Sequence, residues 1–206
     1  MKKIKKRMTG EERKRQIVKV AASLFAKNGF KGATTRGIAE RASISEAVIF
    51  RHFKKKQDLY KAIIDARCSD DSGSSRLMNA IRDKKGRGLF REVAVYLLDE
   101  HRRDPSFMRL LIYSALENQN LSDMFIRTRG LELIKYLAGR IREMTKAGEM
   151  RKVDPNVAAR AFMGMVLHYS VSQEIYGLKR YFKRPNSYIA DVFVEIVFEG
   201  VERRRA

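Results

Sequence analysis

Apolar side chains recur every three and four residues along most of the chain, and only three prolines interrupt it. That period is helical, because a half-buried strand alternates every second residue. No stretch shows convincing strand alternation, and no repeat of fixed period is present. The chain therefore reads as all-α. At 206 residues, 44% of them apolar, it can enclose a core as one domain or two closely packed ones. A disordered chain would be poorer in apolar residues.

The helices can be placed by their caps. Thr9 and Glu12 form a T-x-x-E capping box. Ile17, Val20, Ala21, Leu24 and Phe25 then make one stripe, and Asn28-Gly29 stops the helix with glycine in a left-handed C-cap. Thr34 or Thr35 caps a second helix. A third, very short one starts around Ser43 to Ser45 and ends near His52, and a fourth begins near Lys56. "CSDDSGSSR" at 68–76 and "DKKGRG" at 83–88 read as breaks. Further helices are expected over about 89–103, from Pro105, and over about 121–147, 155–177 and 185–201.

The last two are apolar almost all round. "VFVEIVFEGV" leaves little polar circumference, and "VAARAFMGMVLHY" adds small residues that permit close approach. Such helices must be buried on more than one side. The alternatives are a core helix within one subunit and a dimer interface; the pattern favours the dimer.

Charge narrows the function. The formal net charge is +20 and the pI about 10.3, which favours polyanions: DNA, RNA or an anionic membrane surface. Residues 1–60 carry 17 Lys and Arg against 5 Asp and Glu, more than half of the surplus in less than a third of the chain. The start "MKKIKKRM" is followed by "TGEERKRQ" rather than an apolar stretch, so secretion is not expected. No run of 18 apolar residues occurs. A single cysteine, Cys68, excludes an intrachain disulfide and suits a reducing, cytoplasmic setting. His52, His101 and His168 stand far apart with no partners at metal-ligand spacing, and no nucleophile motif or phosphate loop appears. Neither catalysis nor a cofactor or metal is expected. A buried, satisfied His168 is the favoured reading.

Residues 34–56 hold the most informative pattern: two short helices separated by a tight turn at about Ala42 to Ile44, the layout of a helix-turn-helix. Ala39 is small enough for a close crossing. Ile38, Ile44, Ile49 and Phe53 are the expected buried contacts, leaving Ser45, Glu46, Ala47, Val48, Phe50, Arg51 and His52 outward. Small residues at the start of the second helix let it enter a major groove.

"TTRGIAERASISEAVIFRHFKKKQDLY" at 34–60, with the preceding "IVKVAASLFAKNGFKGATT", resembles the DNA-binding signature of the TetR family of transcriptional regulators. The resemblance covers about residues 13–60. It implies an all-α homodimer of about nine helices per subunit. Residues 1–54 would form a three-helix helix-turn-helix head that binds half of a palindromic operator in double-stranded DNA. Residues 55–206 would form a body that holds a small-molecule effector and dimerises through its last two helices.

Carried over position by position, the resemblance implies that Thr35 and Arg36 meet phosphate or a base. Glu46, Ala47 and Val48 would face bases, Phe50, Arg51 and His52 the groove wall, and Lys56 a phosphate; Ser45 completes the set. Two positions depart from the pattern: Ser43 stands where the family usually has glycine, and Phe50 where tyrosine is common. Ser43 and Glu46 form an S-x-x-E box by spacing. Glu46 is either a base acceptor or a capping carboxylate, the latter preferred. The tail "KKIKKR" is either a minor-groove arm or a basic end that aids binding without specificity. For the body, Phe90, Leu97, His101, Met108, Leu111, Tyr113, Phe125, Met163, Leu167 and His168 are candidate pocket residues, each also a candidate for ordinary core.

The reading is a ligand-responsive repressor released from a palindromic operator by a small, largely apolar effector. The main rival is a sequence-nonspecific basic nucleic-acid-binding protein, whose affinity would ignore sequence and fall steeply with salt.

Overall fold

A computed structural model describes residues 8–68, 73–117 and 121–201. The tail at 1–7, Arg203–Arg205 and the side chain of Cys68 lie outside the described residues. The described residues form no strand. They form α1 (Gly10–Gly32), α2 (Thr35–Ala42), α3 (Glu46–His52), α4 (Lys56–Cys68), α5 (Gly73–Ile81), α6 (Gly86–Arg103), α7 (Ser106–Leu116), α8 (Leu121–Phe125), α9 (Leu131–Lys146), α10 (Pro155–Glu174) and α11 (Asn186–Val201).

That is eleven α-helical segments where about nine were expected. One reason is local. Between α8 and α9 the backbone stays helical but widens into a π turn over Ile126–Gly130, where the Leu131 N–H reaches back to the Ile126 carbonyl. The expected 121–147 helix is thus one rod with a wide turn inside it.

The chain divides into two compact units. The first combines residues 1–67 with 106–123, the second 68–105 with 124–206. In the first unit, α1 packs on α7 and α2, and α2 on α3. The T-x-x-E box forms as read: Glu12 N–H donates to Thr9 Oγ1 at 3.2 Å, and Thr9 N–H donates to Glu12 Oε2 at 2.7 Å. Ile17, Ala21 and Phe25 are buried one and two turns apart. The helix breaks at Gly29, but with φ 71° and ψ 179° rather than the left-handed helical pair. Phe25, Phe30 and Tyr60 pack ring to ring, with Tyr60 centred 4.5 Å from Phe25 and 4.8 Å from Phe30.

In the second unit, α6 packs on α5, α10 and α11, and α9 on α10. Phe90 lies at its centre, edge-on to Phe162 at 5.0 Å and to Phe198 at 5.4 Å. Burying each ring contributes on the order of 2–3 kcal/mol. Arg91 and Asp191 tie α6 to α11 at 2.6 Å. Asp154 caps α10 by accepting from Asn156 N–H at 2.8 Å, with Pro155 at the first helical position.

Candidate nucleic-acid interface

The turn between α2 and α3 sets the site. Thr34, not Thr35, caps α2, accepting the Gly37 N–H at 3.0 Å. The helix stops at Ser43, which takes the left-handed conformation, φ 55° and ψ 49°. Its N–H and that of Ile44 close the last turn onto Glu40 and Ala39 at 3.1 and 3.0 Å. Ile38, Ala39 and Ala42 on α2 and Ile49 on α3 are buried, so the two helices cross on small and branched side chains.

The S-x-x-E box expected from Ser43 and Glu46 does not form. Ser43 belongs to the end of α2, and Ser45 is the residue that begins α3, without a side-chain cap bond. Glu46 instead accepts from Thr35 Oγ1 at 2.6 Å, a bond between the first turns of the two helices. Glu46 keeps its place as the acidic residue in the first turn of α3, and its bond gives the Thr35 hydroxyl a partner inside the protein. A charge-assisted bond of this length fixes α3 relative to α2.

With Ile49 and Phe53 turned inward, α3 presents its opposite face. Ala47, Phe50 and Arg51 follow at spacings of three and four and are exposed, with Phe50 at 49%. Ser45 is exposed at the helix start, while Glu46, Val48 and His52 are half-buried along its edges. Arg36 is exposed on α2 and paired with Glu40 at 3.0 Å.

Lys56, expected to meet a phosphate, is engaged within the protein. Its ammonium donates to the Phe30 carbonyl and lies 4.2 Å from the centre of the Phe30 ring. Burial pulls it below its ordinary range, and the Glu117 carboxylate opposes that pull. The lysine locks the end of α1 to the start of α4.

The ten pocket candidates fall in both units. Met108, Leu111 and Tyr113 lie in the first unit, the other seven in the second. Phe90 and Met163 are core, and Leu97 packs against that core. His101 Nδ1 lies 3.0 Å from Ser170 Oγ, and Phe125 is half-buried. Leu167 is 41% exposed, and His168, expected to be buried, is exposed as well. Both fall on the outer face of α10, which the all-round apolar pattern concealed.

Among the described residues no group of three or more His, Cys, Asp and Glu could hold a metal, and no helix is long and apolar enough to cross a membrane. A tight helix pair with one exposed face on its second member defines a helix-turn-helix DNA-binding regulator.

The model of the bacterial regulatory proteins of the tetR family matches residues 17–63, and that of the C-terminal domain of AefR-like transcriptional repressors matches 76–198. The chain belongs to the TetR family of transcriptional regulators. It is 29% identical over 164 residues to the nucleoid occlusion factor SlmA of Vibrio cholerae, covering 75% of this chain and 80% of that one. The fold is shared with AibR, solved with isovaleryl coenzyme A and operator DNA, at a TM-score of 0.67 and 24% identity over 91% of this chain and 98% of that one. It is also shared with FadR of Bacillus subtilis, solved with stearoyl-CoA, at a TM-score of 0.72 and 18% identity over 91% and 99%.

Proposed function

We propose that this protein is a cytoplasmic, ligand-responsive repressor that binds a palindromic operator as a homodimer and leaves it when a small effector binds the body. The observation that carries the reading is the exposed Ala47, Phe50 and Arg51 face of α3, held in place by the Thr35–Glu46 bond. In this reading Glu46, Ala47 and Val48 approach base edges. Phe50, Arg51 and His52 follow the groove wall, and Ser45 and Arg36 meet the backbone. Because the Lys56 ammonium is engaged internally, its part in DNA binding is to position α4.

Dimerisation is supported by the outer faces of α10 and α11. Val157, Leu167, Tyr188 and Ile196 are 61%, 41%, 52% and 55% exposed, beside the small, exposed Ala161 and Gly164. Large apolar groups facing water mark an interaction surface. AibR and FadR, each solved with an acyl-CoA, support an effector with an apolar part. Such an effector acts only through unequal affinity for the DNA-bound and free states.

The test is footprinting on the promoter of the protein's own gene, with and without cell metabolites. A protected palindrome that opens with metabolites is expected. Equal affinity for scrambled DNA at moderate salt would sink the reading in favour of nonspecific binding.

A further inference from the structure

The second unit holds a cleft of about 530 Å³ that none of the ten sequence candidates lines. It lies among the C-terminal halves of α6 and α10 and the segment 178–186. Leu98, Tyr169 and Phe182 give it apolar walls. Phe182 is 63% exposed, so an apolar body lodged there would cover ring surface that now faces water.

Gln173 also lines the cleft and is only 8% exposed. Its Nε2 donates to the Phe182 carbonyl at 3.5 Å, while its Oε1 is buried with no hydrogen-bond partner among the described residues. A buried acceptor without a donor is costly, and an amide oxygen can be satisfied only by an N–H or O–H.

The rim is cationic. Arg102, Lys179, Lys183 and Arg184 all line it and are exposed. Glu174, the one carboxylate on the lining, is already paired with Lys179 at 2.6 Å. Arg184 lies over the Tyr188 ring at 5.6 Å. Among the described residues, Arg102, Lys183 and Arg184 thus remain beside an apolar wall with no carboxylate paired to them. Such an arrangement concentrates anions.

We propose that this cleft binds an organic anion that carries an apolar body and a hydrogen-bond donor. The anionic group meets Arg102, Lys183 and Arg184, the donor satisfies Gln173 Oε1, and the apolar body covers Leu98, Tyr169 and Phe182. The inference rests on the ligand-responsive reading and names the chemistry of its effector: the ligand is charged at one end rather than apolar throughout.

The experiment is calorimetric titration of the full-length protein with three probes: 3-hydroxydecanoate, decanoate and methyl 3-hydroxydecanoate. The hydroxy acid should bind saturably, with the uncharged ester at least about tenfold weaker and decanoate weaker by several-fold. Reversing the rim with R102E and R184E together should cut hydroxy-acid affinity at least about tenfold. Gln173→Leu should abolish the preference for the hydroxy acid over decanoate; should it not fold, Gln173→Met gives the same reading. Equal binding of acid and ester, binding untouched by the charge reversal, or no binding of the hydroxy acid overturns the site. Operator affinity is measured on the same samples. Hydroxy-acid binding that leaves operator affinity unchanged upholds the cleft and defeats the ligand-responsive reading. Selective operator binding without any probe binding defeats the cleft alone.

Discussion

Glu117 accepts the backbone N–H of Phe30 at 2.7 Å, across 87 residues of sequence, and that of Lys31 at 3.3 Å. The carboxylate follows α7 directly and holds the end of α1 beyond its break at Gly29. Charge-assisted hydrogen bonds are among the stronger polar contacts, and the one to Phe30 is partly buried, so Glu117→Ala should cost about 1.5–3 kcal/mol. Urea denaturation followed by far-ultraviolet circular dichroism measures it. A change within experimental error would show that the contact carries no stability.

Gly29 tests the same joint from the other side. Its backbone, φ 71° and ψ 179°, is a conformation open essentially to glycine, and an added Cβ would meet Glu117 Oε1 at 2.5 Å. Gly29→Ala should therefore cost about 1–3 kcal/mol. In an E117A background the clash with Glu117 disappears, while the backbone strain and a 3.3 Å approach to Tyr113 Cδ1 stay. The penalty should shrink without vanishing, which a double-mutant cycle resolves.

Tyr60 gives the first unit an alkaline limit. Its hydroxyl is buried without a hydrogen-bond partner among the described residues, and burial, reinforced by the Glu117 carboxylate, raises its pKa far above the ordinary 10.0. Because the folded value is the higher one, this stability is intact below about pH 10 and drains as the pH climbs past it, since the unfolded chain sheds the proton first. Tyr60→Phe should change neutral-pH stability by no more than about 1 kcal/mol and flatten the alkaline loss. Parallel denaturation series from pH 7 to pH 11 compare the two, and an unchanged alkaline slope in the variant contradicts the account.

Ser43 pays for the turn with its backbone. At φ 55° and ψ 49° a side chain is unfavourable, so Ser43→Gly should stabilise the helix-turn-helix by about 0.5–1 kcal/mol and Ser43→Val should destabilise it. Thermal melts of the three proteins order them. Valine melting at or above glycine contradicts the strain argument.

On the outer face of α11, Ile196→Glu puts a charge where an apolar contact between subunits is proposed. Sedimentation velocity should show a shift from dimer to monomer with the secondary structure retained. A dimer that persists at every concentration would place the interface elsewhere.

How much of this was legible follows from how far each interaction reaches. The Thr9–Glu12 box spans three residues, and both of its ends are visible in one window of sequence. The Asp154 cap and the small residues of α2 are equally local. The Thr35–Glu46 bond spans 11 residues and depends on the crossing of two helices, so no single window of sequence shows it. Lys56 resembled a phosphate contact because its type and position matched; its partner, Phe30, sits 26 residues earlier. The cleft gathers side chains from Leu98 to Asn186, and no periodicity links them. The outer faces of α10 and α11 were legible as excess apolar circumference, but not which residues would occupy them. That is why His168 was expected inside.

The first compact unit draws on two separate stretches of chain, 1–67 and 106–123. The end of α1 is held partly by a carboxylate encoded far downstream. A chimaera that spliced only the leading segment onto another regulator would leave the amides of Phe30 and Lys31 bare and α1 without the helix it packs on. Transplanting this reader would take two grafts, the second a short one built around a single helix and the glutamate that follows it.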